Sequence, residues 1–144
     1  MPTSVGFREL VAAAVAAPSS HNTQPWLFEE FDRGIAVLAD RTRALPVNDP
    51  FDRELTISCG TALFNIEVCA HRHGFQPTVT ILPDPNDGDA HVVLDDRTQA
   101  TDLGDLYDTI EHRRTTRDPF DADALPDYLG SSRMSGVIGR VETS

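Results

Sequence analysis

The stretch that decides how this chain is read is Ala17-Pro18-Ser19-Ser20-His21-Asn22-Thr23-Gln24-Pro25-Trp26. It holds two prolines, the only tryptophan of the chain and six consecutive polar side chains, Ser19 to Gln24. A linker would be polar but would not usually carry a tryptophan. A core segment would carry tryptophan but not six polar neighbours. Each proline fixes its φ and withholds a backbone donor. A polar loop held between them suits recognition of something planar and hydrogen-bonding. Trp26, followed by Phe28, reads as a core anchor at the start of a strand.

Upstream of the loop, Phe7, Leu10, Val11, Ala14 and Val15 recur at helical spacing. They predict a helix from about Ser4 to Ala16, ended by Pro18 because the residue before a proline avoids the helical region. Downstream, Trp26 to Phe31 and Ile35 to Asp40 read as two strands joined by Asp32-Arg33-Gly34. Asp49-Pro50 reads as an N-cap with proline at the first helical position, and Asp52 as a capping-box acid. That helix runs to about His73, with Gly74 as its stop. Its stripe is Leu55, Cys59, Ala62, Leu63, Ile66 and Ala70. The small residues Ser58 to Ala62 would let another helix or a ligand approach closely, or simply pack tightly in the core.

Thr78 to Leu82 and Ala90 to Leu94 read as strands around the turn-rich run Pro83 to Asp89. Asp102 caps a predicted third helix from Leu103 to about Arg114, with Leu103, Leu106, Tyr107 and Ile110 on its apolar face. Ser131 to Ser144 shows neither strong helical periodicity nor a completed β unit.

At 144 residues the chain has room for one domain with a real core. The net charge of −11 repels nucleic acid and anionic membrane. All 12 basic residues are arginine. Cys59 and Cys69 lie ten residues apart in one predicted helix, about 15 Å along its axis, too far for a disulfide within it. They read as small core residues in a reducing compartment. Leu10 to Ala17 resembles the apolar part of a signal peptide, but Glu9 cancels Arg8 where a positive start is needed. No run is long and apolar enough to span a membrane, so the expected location is cytoplasmic.

The second informative cluster is Arg113-Arg114-Thr115-Thr116-Arg117, at the end of the third predicted helix. Three guanidiniums and two hydroxyls in five residues can surround a phosphate. The competing reading is that these arginines offset a helix dipole and pair with nearby acids. His71 and His73 point to different faces of a helix, and no close His/Cys set is present, so no metal is expected. There is no G-x-S-x-G, P-loop or G-x-G-x-x-G motif, and no catalytic acid–base pair stands out.

Together the clusters resemble the FMN-dependent nitroreductase family, which has a Pro-Ser-Ser-x-Asn-x-Gln-Pro-Trp stretch before its first strand. Here it stands as Pro18 to Trp26. The family's basic Arg-Arg-Ser/Thr-x-Arg stretch stands as Arg113 to Arg117. In ordinary members the basic stretch comes first; here it comes second. That order resembles an internally duplicated branch, in which one long chain mimics the usual homodimer. Asp40-Arg41 through Asp49-Pro50-Phe51-Asp52-Arg53-Glu54-Leu55, Ser58 to Leu63 and Leu82 to Asp87 also suit that branch.

The resemblance implies an α+β nitroreductase-like fold, an antiparallel-rich sheet with a long central helix, in incomplete form. Residues 1–100 would be a first half and 101–144 the start of a truncated second half. It implies FMN as cofactor, with NAD(P)H as donor and a nitroaromatic or quinone as acceptor. Pro18, Ser19, Ser20 and Asn22 would contact the isoalloxazine side, with Gln24 as a further member of that set. Arg113, Arg114, Thr115 and Arg117 would hold the phosphate. Two alternatives stay open: a non-catalytic flavin holder, and a structural remnant without cofactor. A truncated domain would also expose apolar faces, so self-association is expected.

Overall fold

The computed structural model describes residues 5–81, 90–95 and 102–119. The expected turn Pro83 to Asp89, the stretch Ser131 to Ser144 and the start of the first helix at Ser4 lie outside them.

The first helix, α1 (Phe7–Val15), begins after extended Gly6 and buries Leu10, Ala13 and Ala14. The polar loop follows. Strands β1 (Trp26–Phe31) and β2 (Gly34–Ala39) then form an antiparallel hairpin with Phe31 opposite Gly34. The turn is therefore Asp32-Arg33 alone, one residue shorter than expected. After β2 comes a single 3₁₀ turn, Arg41–Arg43, and then the long helix α2 (Arg53–Arg72). Strands β3 (Gln76–Ile81) and β4 (Ala90–Asp95) complete a sheet of order β1-β2-β4-β3, antiparallel throughout.

Helix α2 touches α1, the polar loop and strands β1, β2 and β3, which makes it the axis of the fold. The core joins Leu10, Ala13 and Ala14 of α1, Trp26 and Ile35 of the hairpin, and Ala62, Ile66 and Cys69 of α2. Ile35 and Ile66 are fully buried, each contributing about 1.5–3 kcal/mol of apolar burial. This mixed helix and antiparallel sheet, with one long helix, is compatible with the expected α+β nitroreductase-like fold.

The start of α2 differs from the sequence reading, and its end agrees with it. Asp52, at φ 53°, is left-handed, so α2 starts at Arg53 and not at Pro50. Asp49 still caps it from outside: its carboxylate accepts the N–H groups of Arg53 (2.8 Å) and Leu55 (3.0 Å). Asp52 pairs with Arg41 instead. At the other end Gly74, at φ 79°, terminates α2, donating to His71 while Phe75 donates to Ala70. This pair of bonds is the Schellman arrangement that glycine permits without a Cβ penalty.

The third helix is shorter than its apolar spacing suggests. Asp102–Leu106 form a 3₁₀ helix, and only α3 (Tyr107–Ile110) is α-helical. Gly104 is buried against α2, where a Cβ would meet the Arg72 backbone nitrogen at 3.0 Å. Tertiary contact sets this segment's path, and glycine's weak helix propensity does not oppose it.

Candidate functional site

The polar loop is a strained segment held from several sides. Ser20–Asn22 make one 3₁₀ turn, and His21 (φ 50°), Asn22 (φ 55°) and Gln24 (φ 49°) are left-handed. Such a conformation costs a non-glycine residue on the order of 1–3 kcal/mol, so the surroundings must impose it. Inside the loop, the Ser19 hydroxyl oxygen accepts the Gln24 N–H (2.9 Å), and the Ser20 carbonyl accepts the Thr23 N–H (3.0 Å) and hydroxyl (2.9 Å).

The remaining restraints come from α2 and the turn before it. Ser58 Oγ accepts the Ser20 N–H at 3.1 Å. The Cys59 thiol donates to the Pro25 carbonyl at 3.2 Å, and the Thr61 hydroxyl to the Pro18 carbonyl at 2.8 Å. Within the small-residue run, Ser58, Cys59 and Thr61 thus form the seat of the loop, while Ala62 packs in the core. Arg43 donates to the Thr23 carbonyl at 3.0 Å and is itself held by Asp40, 3.3 Å away. The Thr42 hydroxyl, chief among several groups, keeps the Asp40 carboxyl below its ordinary range. Burial pushes the thiols of Cys59 and Cys69 up to about 11 and about 12, so neither is an ionised nucleophile near neutral pH.

Ser19, Ser20, His21 and Asn22 line a cavity of about 650 Å³ together with Glu54 and Arg117. This size is within the range of ligand sites. The Ser20 hydroxyl donates to the Glu54 carboxylate. Asn22 Oδ1 accepts from Gln24 Nε2 at 3.3 Å, and His21 Nε2 lies 3.3 Å from Asn48 Nδ2. A neighbouring groove of about 420 Å³ runs between α2 and α3, with Pro18, Thr61, Phe64, Ile110 and Arg113 among its walls.

The basic stretch therefore returns to the loop through space. Arg113 donates to the Ala16 carbonyl at the end of α1 (3.4 Å) and to the Thr115 hydroxyl (3.0 Å). Arg114 folds back onto the carbonyls of Glu111 (2.7 Å) and Arg113 (2.9 Å). Of the residues singled out from sequence, Ser19, Ser20, Asn22 and Arg117 share one cavity, and Pro18 and Arg113 share the groove beside it. Gln24, Arg114 and Thr115 do not line that cavity. Glu54 was missed as a wall residue. Its only signal was its place one turn before Ser58, on the face that receives the loop.

His71 is buried, and His73 lies 2.8 Å from Glu9, off the line of a hydrogen bond, so the two diverge. Among the described residues no group of three or more His, Cys, Asp or Glu is placed to hold a metal. No described helix is long and apolar enough to cross a membrane.

No protein-family model matches the chain. It is similar to several Mycobacterium tuberculosis proteins. It is 32% identical over 127 residues to "Putative NAD(P)H nitroreductase Rv3131", covering 87% of this chain and 37% of that protein. With "Putative NAD(P)H nitroreductase acg" it shares 33% identity over 124 residues, 83% of this chain and 37% of the relative. "Uncharacterized protein Rv3127" is 30% identical over 130 residues, 81% of this chain and 36% of its own length. Two of these three relatives carry the name nitroreductase, and the similarity extends over most of this chain. The chain spans little more than a third of the length of the relatives it matches.

Proposed function

We propose that this chain carries the loop and the basic stretch of an FMN site, and serves a nitroreductase-type oxidoreductase that uses NAD(P)H. The reading rests on one observation above the others: Ser19, Ser20 and Asn22 line a single cavity with Arg117, from the far end of the described chain. The donor set suits the cofactor. Hydroxyls and an amide can meet the carbonyl and N–H groups of a planar ring, and guanidiniums can meet a phosphate. In this reading residues 1–100 belong to one half of an internally duplicated arrangement and 101–144 open the next.

The redox chemistry comes with the flavin when bound, which accepts hydride from NAD(P)H and hands electrons to a nitroaromatic or quinone. The chain's own residues bind and orient. Ser19 and Asn22 present donors on one wall, and Arg117 supplies positive charge on another. Thr61, Ser58 and Cys59 hold the loop in its left-handed conformation, so its polar groups need little ordering when a ligand arrives. No acid–base pair is required of the protein.

The test is direct. Protein stripped of ligand should take up FMN and retain the yellow chromophore through gel filtration. It should bind FMN more tightly than riboflavin, which lacks the phosphate. NADH or NADPH oxidation with a nitroaromatic or quinone acceptor then separates an oxidoreductase from a flavin holder. A protein that remains colourless with excess FMN would sink both.

A further inference from the structure

The hydrogen bonds around Ser20 leave it in an unusual state for a loop serine. Its backbone N–H is given to Ser58 Oγ. Its carbonyl already accepts two protons from Thr23. Its hydroxyl proton goes to the Glu54 carboxylate. What Ser20 turns to the cavity is therefore an oxygen that can only accept, beside a carboxylate that can only accept. The neighbouring residues have the opposite character. Ser19 Oγ is occupied as an acceptor by the Gln24 N–H, which leaves its own proton to donate. Asn22 Oδ1 is occupied by Gln24 Nε2, which leaves the amide Nδ2 as a donor.

We propose that Glu54 determines the ligand specificity of this cavity. By holding the Ser20 proton it fixes an acceptor next to the donors of Ser19 and Asn22. That pattern complements a neutral planar edge in which an N–H lies beside carbonyl oxygens, the edge of a cyclic imide. A hydroxyl free to rotate would accept or donate equally and would not discriminate. The carboxylate also disfavours an anionic group at this wall, which leaves the arginine side of the cavity for a phosphate. The inference rests on the flavin reading, because the isoalloxazine ring carries such an imide edge.

The experiment compares FMN with N3-methyl-FMN, in which a methyl group replaces the imide hydrogen, in the unaltered protein and in Glu54→Gln. Binding is read by quenching of flavin fluorescence. Glu54→Gln keeps the shape of the side chain but removes the charge and replaces one acceptor oxygen with an NH2 donor, so the Ser20 proton is no longer held by a carboxylate. The unaltered protein should prefer FMN by about tenfold, the scale of one hydrogen bond to a charged or polarised acceptor. In Glu54→Gln the preference should fall to about threefold or less. An equal affinity for the two flavins in the unaltered protein, or the same preference in Glu54→Gln, overturns the role of Glu54 while leaving the flavin reading intact. Failure of both flavins to bind removes the flavin reading, and this inference with it.

Discussion

Thr61, midway along α2, shares its hydroxyl proton between the Pro18 carbonyl, 2.8 Å away, and the Ser58 carbonyl at 2.7 Å. One side chain thereby fastens the start of the strained loop to the central helix. Thr61→Val keeps the shape and removes the donor. It should cost about 1–2 kcal/mol and lower Tm by roughly 3–8 °C in thermal unfolding. FMN affinity should fall with it. Ile66→Val, destabilising to a similar degree in the core, should leave FMN affinity unchanged. Equal effects of the two variants on binding would show that Thr61 acts on stability alone.

Asp49 is buried and caps α2 through two backbone bonds from outside the helix. Asp49→Ala should destabilise by about 1–2 kcal/mol, the usual cost of a lost cap. Asp49→Asn keeps one acceptor oxygen and should lose less. Urea unfolding of the three proteins gives the ranking.

The raised thiol pKa values make a pH prediction. In the unfolded chain the thiols ionise near the ordinary value of 9.0, whereas in the fold Cys59 waits until about 11 and Cys69 until about 12. Between those limits the native state binds more protons than the unfolded state. Stability is therefore fully present below pH 9.0 and falls as pH rises towards 11 and 12. Replacing both cysteines by alanine should flatten this alkaline loss, whatever it does to stability near neutrality. At pH 8 a thiol reagent should label the native protein far more slowly than the urea-unfolded one.

Gly104 sits where any Cβ would press on α2 backbone, 3.0 Å from the nitrogen and 3.1 Å from the Cα of Arg72. Helix backbone cannot yield as a flexible side chain can. Gly104→Ala should destabilise by about 1–3 kcal/mol. It should also weaken the packing of residues 102–110 on α2, read as faster amide exchange across that segment.

Arg117 lines the polar cavity, while Arg114 folds back on backbone carbonyls. Arg117→Ala should weaken FMN binding by about tenfold and riboflavin binding little, because only FMN carries the phosphate. Arg114→Ala should have the smaller effect on FMN. The reverse ranking in a titration would reassign the phosphate contact.

Much of the fold is legible along the chain, because its signals are local. The spacing of Leu10 and Ala14, the two apolar runs that make the hairpin and the glycine stop at Gly74 depend on near neighbours and on φ. Trp26 likewise announces its core position, at 6% exposure. Sequence alone also marked Pro18 to Trp26 and Arg113 to Arg117 as the chemically distinctive stretches.

Only the tertiary structure decided what those stretches do to one another. It put Asp52 in the left-handed region, where it pairs with Arg41, and moved the start of α2 beyond it. It shortened the third helix because Gly104 fits against Arg72, thirty-odd residues earlier in the chain. It showed that Ser58, Cys59 and Thr61, read from sequence only as small residues permitting close approach or packing, hold the loop. It brought Glu54 to the loop's serine and Arg117 to the same cavity. A hydrogen bond between distant residues depends on where the whole chain folds back, so its donor and acceptor carry no mark in their own neighbourhoods.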